Sequence, residues 1–337
     1  MCVWVRETAP LPAEATGPAC YGPNLRALIC YLVVRQHIPV KRVAELMRDA
    51  YAIPVSTGTI VAMVTQGAAM LEDFLASVRD QLGHAPVAHA DETGLRVEAS
   101  LHWVQSVSTK FLTLYYVHKQ RGTKAMDAMG VLATLTGVLV HDGYASYRTY
   151  TAVTHALCTA HHLRELDAIA DVEGQGWATD MVALLCGTWQ RVIDVKDSGV
   201  GALAAQELAS IRAAYDTAIA AGHVANPPLT PSPRRRRARK TKAANLLARL
   251  DNYGDDVLRF AADFNVSLDN NEAERQARMV KVQQKISGGF RTKAGATASL
   301  AVRSYLATVM KNGVNPLGAL QHLMVADPWM PPSPDSS

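Results

Sequence analysis

The hydrophobic pattern of this chain changes its period near residue 85, and that change restricts the possible folds more than any other feature. Before it, apolar residues recur at helical spacing; after it, short β-rich runs take over, at Val87–Ala90, Leu101–Val107, Phe111–Val117, Gly137–Val140 and His155–Cys158. Segments with helical spacing separate the last three runs and follow the fifth. The order of three strands, helix, strand, helix, strand, helix predicts an α/β fold, with a mixed sheet and helices outside it.

Residues 1–82 form the first predicted region, and it is helical from Asn24 onwards. Pro39 and Pro54 divide it into three short helices, because proline cannot continue a helix interior. We expect the third helix to continue as far as Val78. Three short helices joined by tight turns suit a helix-turn-helix, in which Ser56, Thr57 and Thr59 would begin the recognition helix. A small helical bundle without that role explains the pattern equally well.

Composition restricts the class of protein without identifying it. The apolar fraction of 49% can fill a large core, and no apolar run reaches the roughly 18 residues that a membrane span needs. The first residues lack the layout of a signal peptide, and the five scattered cysteines form no CxxC pair, so we expect a cytoplasmic protein with reduced thiols. A net charge of +4 permits nucleic-acid binding without demonstrating it.

Residues 171–264 are predicted to form a helical block that contains a basic loop. The loop follows a proline-rich stretch and includes Arg234, Arg235, Arg236 and Arg237. Like charges packed this densely repel one another unless a partner neutralises them, so we favour phosphate contact over a merely solvated surface. Residues 326–337 are predicted to be a disordered tail.

Two acidic residues stand at the ends of predicted strands. Asp91 closes the first strand, and Asp142 directly follows Gly137–Val140 and His141. If those strands are neighbours, both carboxylates enter one region and repel each other unless a cation lies between them. Oxygen ligands favour Mg²⁺ or Mn²⁺ over zinc. Taken singly, each aspartate is explained as well or better as the cap of a turn.

Several motifs in sequence order add a resemblance that covers roughly residues 21–320. They are Ala90–Val97 (ADETGLRV), Leu101–Trp103 (LHW), Lys119–Gly122 (KQRG), His141–Tyr144 (HDGY), His155–Cys158 (HALC), His161–Leu166 (HHLREL) and Leu268–Arg275 (LDNNEAER). Together these blocks resemble the insertion-sequence 66 family of transposases. The family's large subunit carries a catalytic domain of the Asp-Asp-Glu type, and the predicted element order is that of RNase H-like cores.

The resemblance implies that Asp91, Asp142 and Glu274 are the catalytic and metal-binding carboxylates. The resemblance favours Glu274 over Glu272, because Glu274 matches the glutamate before arginine that recurs in the family's motif. Residues two apart on a helix point to different faces, so the two glutamates cannot both reach the metals. Two Mg²⁺ or Mn²⁺ ions would activate a water or a 3′-hydroxyl, with Asp91 bridging them, and stabilise the leaving oxygen at phosphorus. The catalytic domain would then comprise residues 83–170 and 265–325, with the helical block 171–264 inserted between them.

The resemblance also implies partners and a setting. The protein would bind double-stranded DNA at transposon ends and target, act as a homo-oligomer on DNA, work with accessory proteins of its element, associate with the nucleoid, and bind no membrane. It further implies a cysteine-rich zinc-binding segment ahead of Tyr21, and because this sequence lacks one, residues 1–82 are interpreted as a truncated DNA-binding region. The alternatives are a catalytically inactive DNA-binding remnant or inhibitor, and another RNase H-fold nuclease.

Other candidate residues have two interpretations each. Lys281, Lys285, Arg291 and Lys293 follow the glutamate and would meet DNA phosphates, or simply form a solvated face. Cys158, His161 and His162 are spaced as zinc ligands could be, but without a second half-site we interpret them as a buried thiol and helix-start histidines. His141 is interpreted as a core histidine with its hydrogen bonds satisfied.

Overall fold

The computed structural model of the chain describes residues 21–227 and 241–332. The arginine cluster Arg234–Arg237, predicted to contact phosphates, lies outside the described residues. Cys30 and Cys158 are buried and Cys186 is exposed, and all three are free thiols. This agrees with the predicted absence of a disulfide framework as far as the described residues extend.

The N-terminal region is helical, as predicted. Its helices are α1 (Pro23–Cys30, continued by a π-helical turn Tyr31–Arg35), α2 (Val40–Tyr51), α3 (Thr57–Ala69) and α4 (Glu72–Gly83). Ser56 is the N-cap of α3 and its hydroxyl accepts the N–H of Thr59 at 3.0 Å, as predicted. The predicted continuation of that helix to Val78 is wrong, because the chain bends by 52° before α4 begins. The bend lets Leu71 and Phe74 both reach the core, where neither is exposed.

No single helix among the described residues is long and apolar enough to cross a membrane. The bent pair α3 and α4 passes that test together, by length and composition only, and most of its large apolar residues belong to the protein core.

A five-stranded mixed sheet forms the centre of the molecule. Its strands are β1 (Val87–Val97), β2 (Ser100–Ser108), β3 (Thr113–His118), β4 (Val138–His141) and β5 (Thr154–Leu157), in the order β3-β2-β1-β4-β5. The first three strands are antiparallel neighbours, and β4 and β5 run parallel to β1. This confirms the predicted mixed α/β class.

Strand β1 is longer than its sequence pattern indicated. We expected it to close at Asp91, but it continues to Val97, because β2 pairs with it along its whole length from His89 onwards. The parallel neighbour β4 pairs only with Val87–His89. Beyond His89, the side of β1 that faces β4 has therefore lost its strand partner, which leaves space beside Asp91.

Helices occupy the rest of the described chain. The connection after β3 contains α5 (Thr123–Met129), shorter than the predicted helix to about Leu135, because Gly130 ends it in the left-handed conformation (φ +76°). A 3-10 turn (Ala145–Thr149) precedes β5, and α6 (Thr159–Glu173) follows it. The remaining helices are α7 (Gly176–Lys196), α8 (Ala205–Ala225), α9 (Lys242–Asn252), α10 (Gly254–Val257), α11 (Arg259–Ala262), α12 (Asn271–Ser287), α13 (Lys293–Lys311) and α14 (Pro316–Leu323).

Two large hydrophobic clusters organise these layers. The larger one joins the N-terminal helices to one face of the sheet and to α13 and α14, so the N-terminal helices share a core with the rest of the fold. The second lies within α7–α10 and includes Leu157 and Leu166, so the helical block is fixed to β5 and α6 through apolar contacts. Helix α12 packs instead across β1 and β2.

The segment that we predicted to be a disordered tail is described as far as Pro332. Within it, the N–H of Trp329 donates a hydrogen bond of 3.0 Å to the hydroxyl of the buried Tyr305, and its side chain packs on the main core. The contact of the apolar Trp329 ring with the core explains why this proline-rich stretch packs along the surface of the protein.

Candidate active site

Asp91 lies on β1 at the position where the parallel partner strand has ended. Side chains alternate between the two faces of a strand, so Asp91 and Thr93 share one face while Glu92 points to the other. Both Asp91 and Thr93 line a single open pocket. One carboxylate oxygen of Asp91 accepts the N–H of Glu92 at 2.9 Å, and the Asp91 carbonyl accepts the hydroxyl of Ser106 at 3.0 Å.

Asp142 enters the same pocket from the loop after β4. Its Oδ1 accepts the N–H of Tyr144 at 2.8 Å, so it caps a turn, as one of our interpretations predicted. Gly143 makes that turn possible with a φ of +91°. Turn-capping and site-lining are therefore compatible, because capping uses a single oxygen. His141 is fully buried and bonded to His155 and to the N–H of Gly143, as expected of a satisfied core histidine.

Glu274 reaches the pocket from the first turn of α12. The neighbouring Glu272 points elsewhere and pairs with Lys311 at 2.7 Å. The two glutamates thus face different directions, as the helical spacing predicted. The structure brings Asp91, Asp142 and Glu274 together although 51 and 132 residues separate them along the chain.

Asn270 holds the start of α12 beside β1. This fully buried side chain donates from Nδ2 to the carbonyl of Ala90 at 2.8 Å and pairs through Oδ1 with His89 Nδ1 at 3.1 Å. Its backbone N–H donates to Cys158 Sγ at 3.2 Å. Asn270 occupies the N-cap position of α12, but its side chain makes no capping bond. Instead it ties Glu274's helix to the strand that carries Asp91.

The pocket has a volume of about 320 Å³ and a mixed charge. Its lining residues are Asp91, Thr93, Asp142, His161, Asn270, Glu274, Ala277, Arg278 and Lys281. Carboxylates from three separate segments thus lie opposite or beside two basic side chains of α12.

The surroundings of Asp91 disfavour the charged form of its carboxyl group. Burial, followed by the negative charges of Glu92, Asp142 and Glu274, raises its pKa from 3.8 to about 7, against the opposing hydrogen bond from the Glu92 N–H. A carboxyl group in this position retains its proton near neutral pH unless a cation compensates its charge. The chain therefore concentrates more negative charge here than its own residues neutralise.

Behind this face, Glu92 anchors a separate buried network. Arg121 binds one of its oxygens through Nε (2.8 Å) and Nη2 (2.6 Å), and the hydroxyl of Tyr147 donates to the other at 2.6 Å. The guanidinium of Arg121 also lies over the rings of Trp103 and Tyr144. Burial raises the pKa of Glu92, although the bonds from Tyr147 and Arg121 oppose the shift. Glu92 and Tyr144 occur in the same motifs as Asp91 and Asp142, and the network supports the strand from its other side.

The basic residues of the pocket come from the helix face that carries Glu274. Arg278 and Lys281 follow it by four and seven residues, which places all three on one side of α12. Within the described residues neither cation forms a salt bridge, although Lys281 donates to the carbonyl of Gly94. Sequence reasoning named Lys281 but missed Arg278, which its spacing from Glu274 could have revealed.

The other predicted DNA-binding residues that the structure describes lie outside this pocket. Lys285, Arg291 and Lys293 are exposed, as are Ser56 and Thr57, while Thr59 is half-buried. None of these residues lines the pocket.

A second set of potential metal ligands overlaps the carboxylates. Cys158, His161 and Glu274 each offer one ligand atom, and these atoms lie within 4.8 Å of one another. His162 is not part of the set: it is fully buried, and burial lowers its pKa to about 3. The interpretation of Cys158 as a buried thiol is confirmed by its 1% exposure, but no sequence pattern indicates that Glu274 lies beside it.

Comparison with known proteins gives a family. A curated relative, the uncharacterized protein y4jD of Sinorhizobium fredii, is 26% identical over 210 residues, which cover 52% of this chain. The match covers 40% of the length of that relative. The family model described as "Transposase IS66 family" matches residues 18–298, which include every residue that lines the pocket. Because this match extends over most of the sequence, the chain belongs to the IS66 family of transposases.

Proposed function

We propose that this protein is a transposase of the Asp-Asp-Glu type, which cleaves and joins DNA strands with divalent metal ions at Asp91, Asp142 and Glu274. The observation that carries the proposal is the convergence of three carboxylates, from β1, the loop after β4 and α12, on one pocket. The strand order β3-β2-β1-β4-β5, with one antiparallel half and one parallel half, supports an RNase H-like catalytic core.

The pocket residues fit divalent cations. The raised pKa of Asp91 reflects burial near other carboxylates, an arrangement that a bound cation would stabilise. Asp91, Asp142 and Glu274 offer oxygen atoms, the ligands that Mg²⁺ and Mn²⁺ prefer. When bound, such ions would supply an activated water or 3′-hydroxyl and stabilise the leaving oxygen.

The protein's own residues have distinct roles in this proposal. Arg278 and Lys281 bind the phosphates on either side of the scissile bond, because they lie at the edge of the acidic pocket and form no salt bridge with the residues that the structure describes. Asn270 keeps Glu274 in reach of Asp91 through its bonds to His89 and Ala90. No side chain is assigned as a covalent nucleophile, since hydrolysis and transesterification at phosphorus need none.

The proposed partner is double-stranded DNA. Exposed Ser56 and Thr57 at the N-terminus of α3 would contact it in a helix-turn-helix arrangement, and Lys285 and Arg291 would extend the basic surface along α12 and beyond it. Assembly into a homo-oligomer on paired transposon ends, and action together with accessory proteins of the same element, are part of the same proposal.

The test is a strand-cleavage and strand-transfer assay with Mg²⁺ and DNA that carries the terminal repeats flanking the gene. We expect Asp91→Asn, Asp142→Asn and Glu274→Gln each to abolish cleavage and joining, while DNA binding in a mobility-shift assay is largely retained. The matched control is Glu272→Gln, two residues away on the same helix but paired with Lys311 outside the pocket. Full activity in any of the three pocket variants would refute the assignment.

The same assay separates the alternatives. Cleavage without joining would identify another nuclease, and DNA binding without either reaction would identify an inactive remnant or inhibitor. The intact set of three pocket carboxylates favours the transposase.

A further inference from the structure

We propose that Cys158, His161 and Glu274 form a second metal site, which takes a thiophilic divalent cation of the Zn²⁺ class and thereby withdraws Glu274 from the Mg²⁺ site. The inhibitory part rests on the proposed function, whereas the binding part stands on geometry alone. Three protein ligands with an open fourth position describe this site.

The distances fit a tetrahedral ion. Glu274 Oε1 lies 3.8 Å from Cys158 Sγ and 3.5 Å from His161 Nδ1. A tetrahedral Zn²⁺ with bonds of about 2.3 Å to sulfur and 2.0–2.2 Å to nitrogen and oxygen separates such ligands by roughly 3.4–3.6 Å. The two distances to Glu274 Oε1 therefore differ from tetrahedral values by only a few tenths of an ångström, and all three ligand atoms lie within 4.8 Å of one another.

One of these ligand atoms lacks a partner. His161 Nδ1 is shielded from solvent, yet among the described residues it accepts and donates no hydrogen bond. It faces Glu274 Oε1 at a distance too long for a hydrogen bond and suited to a shared metal. A buried polar atom without a partner costs free energy, and a bound cation would remove that cost.

The local structure holds the three ligands in place. Cys158 is the N-cap residue of α6 and His161 lies in its first turn, so the C-x-x-H spacing brings both side chains to one end of this helix. The N–H of Asn270 donates to Cys158 Sγ and thereby fixes the sulfur beside α12. His161 and Glu274 also line the catalytic pocket, which leaves the fourth position open to water from that side.

The ligand types decide which metal enters. A thiol and an imidazole are poor ligands for Mg²⁺ and good ones for Zn²⁺. Binding converts the Cys158 thiol to a thiolate and releases its proton to solvent. Zn²⁺ on Glu274 Oε1 would neutralise this carboxylate and place a second dication beside the Mg²⁺ site, so its occupancy opposes binding of the catalytic ions.

Co²⁺ is the spectroscopic probe for the site, added to the full chain without DNA. We expect visible bands of tetrahedral Co²⁺ together with a thiolate-to-cobalt charge-transfer band in the near ultraviolet. Cys158→Ser should abolish the charge-transfer band, and the matched control Cys186→Ser, which removes an exposed thiol on α7, should retain it. Absence of that band, or its persistence in Cys158→Ser, overturns the site.

A second variant covers the case in which Cys158→Ser does not fold. His161→Gln alters a side chain that is 35% exposed, and it should keep the fold while weakening Co²⁺ binding by at least about 100-fold, since loss of even an outer-sphere partner costs roughly 10–100-fold. Unchanged Co²⁺ affinity in this variant would equally overturn the proposal.

The inhibitory role is tested by adding Zn²⁺ to the Mg²⁺-dependent cleavage reaction. We expect inhibition that a zinc chelator reverses, and that Cys158→Ser resists when each protein is compared with its own zinc-free rate. Co²⁺ binding without zinc inhibition overturns the competition for Glu274. Co²⁺ binding in a protein with no Mg²⁺-dependent cleavage overturns the proposed function and leaves the metal site standing.

Discussion

Replacing Asn270 with alanine should loosen α12 from β1, because the Asn270 side chain holds these two parts of the site together. The substitution removes the bonds to the His89 ring and to the Ala90 carbonyl, and both of these groups stay buried. Each buried polar group left without a partner costs about 1–3 kcal/mol, so we expect a loss of stability of roughly 2–6 kcal/mol. Since about 1 kcal/mol lowers the melting temperature of a mid-sized domain by roughly 2–4 °C, the thermal transition should fall by at least about 4 °C.

The assay is a thermal melt of the full chain, paired with the Mg²⁺-dependent cleavage rate. Asn271→Ala is the matched control, because Asn271 is exposed and, among the described residues, its side chain bonds only with Asp269. Cleavage by Asn270→Ala should fall well below that of the control even at temperatures where both are folded, since α12 is no longer tied to β1. A melting temperature for Asn270→Ala within about 1 °C of the control would refute the tether.

Three further predictions concern charge and packing at the pocket. With a chelator present to remove metal ions, the Asp91→Asn variant should become more stable relative to the parent protein as pH rises. The Asp91 carboxyl, whose pKa is raised to about 7, contributes stability that is full below pH 4 and is lost as pH rises through 7. Equal differences in melting temperature between variant and parent at pH 5 and pH 8 would contradict this. Arg278→Ala and Lys281→Ala should each reduce the salt dependence of DNA binding. The slope of log K against log salt concentration, measured by fluorescence anisotropy, should become smaller in magnitude by about 0.9, and an unchanged slope would exclude a phosphate contact. Gly137→Ala should destabilise the protein by about 1–3 kcal/mol or more, because the new Cβ would lie 2.2 Å from the carbonyl oxygen of Ala85. An unchanged melting temperature would contradict the close pairing of β1 and β4.

The sequence predicted the elements better than their ends. Strand runs and helical spacing gave all five strands, the separate N-terminal helices and the N-cap at Ser56, because each depends on neighbouring residues. The predicted ends of β1 and of the third helix were wrong because contacts with residues distant in the sequence determine where these elements end. Pairing with β2 extended β1 past Asp91, and burial of Leu71 in the common core broke the third helix.

For the site, the residues of the motifs were recognisable, and the separation of Glu272 from Glu274 followed from helical geometry. Arg278 was also within reach of that reasoning, four residues after Glu274. The role of Asn270 was not, because its bonding partners His89 and Ala90 lie 181 and 180 residues away.

The sequence alone determined the α/β class, the resemblance to a transposase family and the identity of the acidic residues, since local periodicity and short motifs carry that information. Tertiary structure decided which of those residues meet. Glu274 lies 116 residues beyond Cys158, and only the packing of α12 against β1 and of α6 beside it puts a carboxylate next to both Asp91 and that thiol. Contacts at such separations depend on the whole core, and no local pattern encodes them.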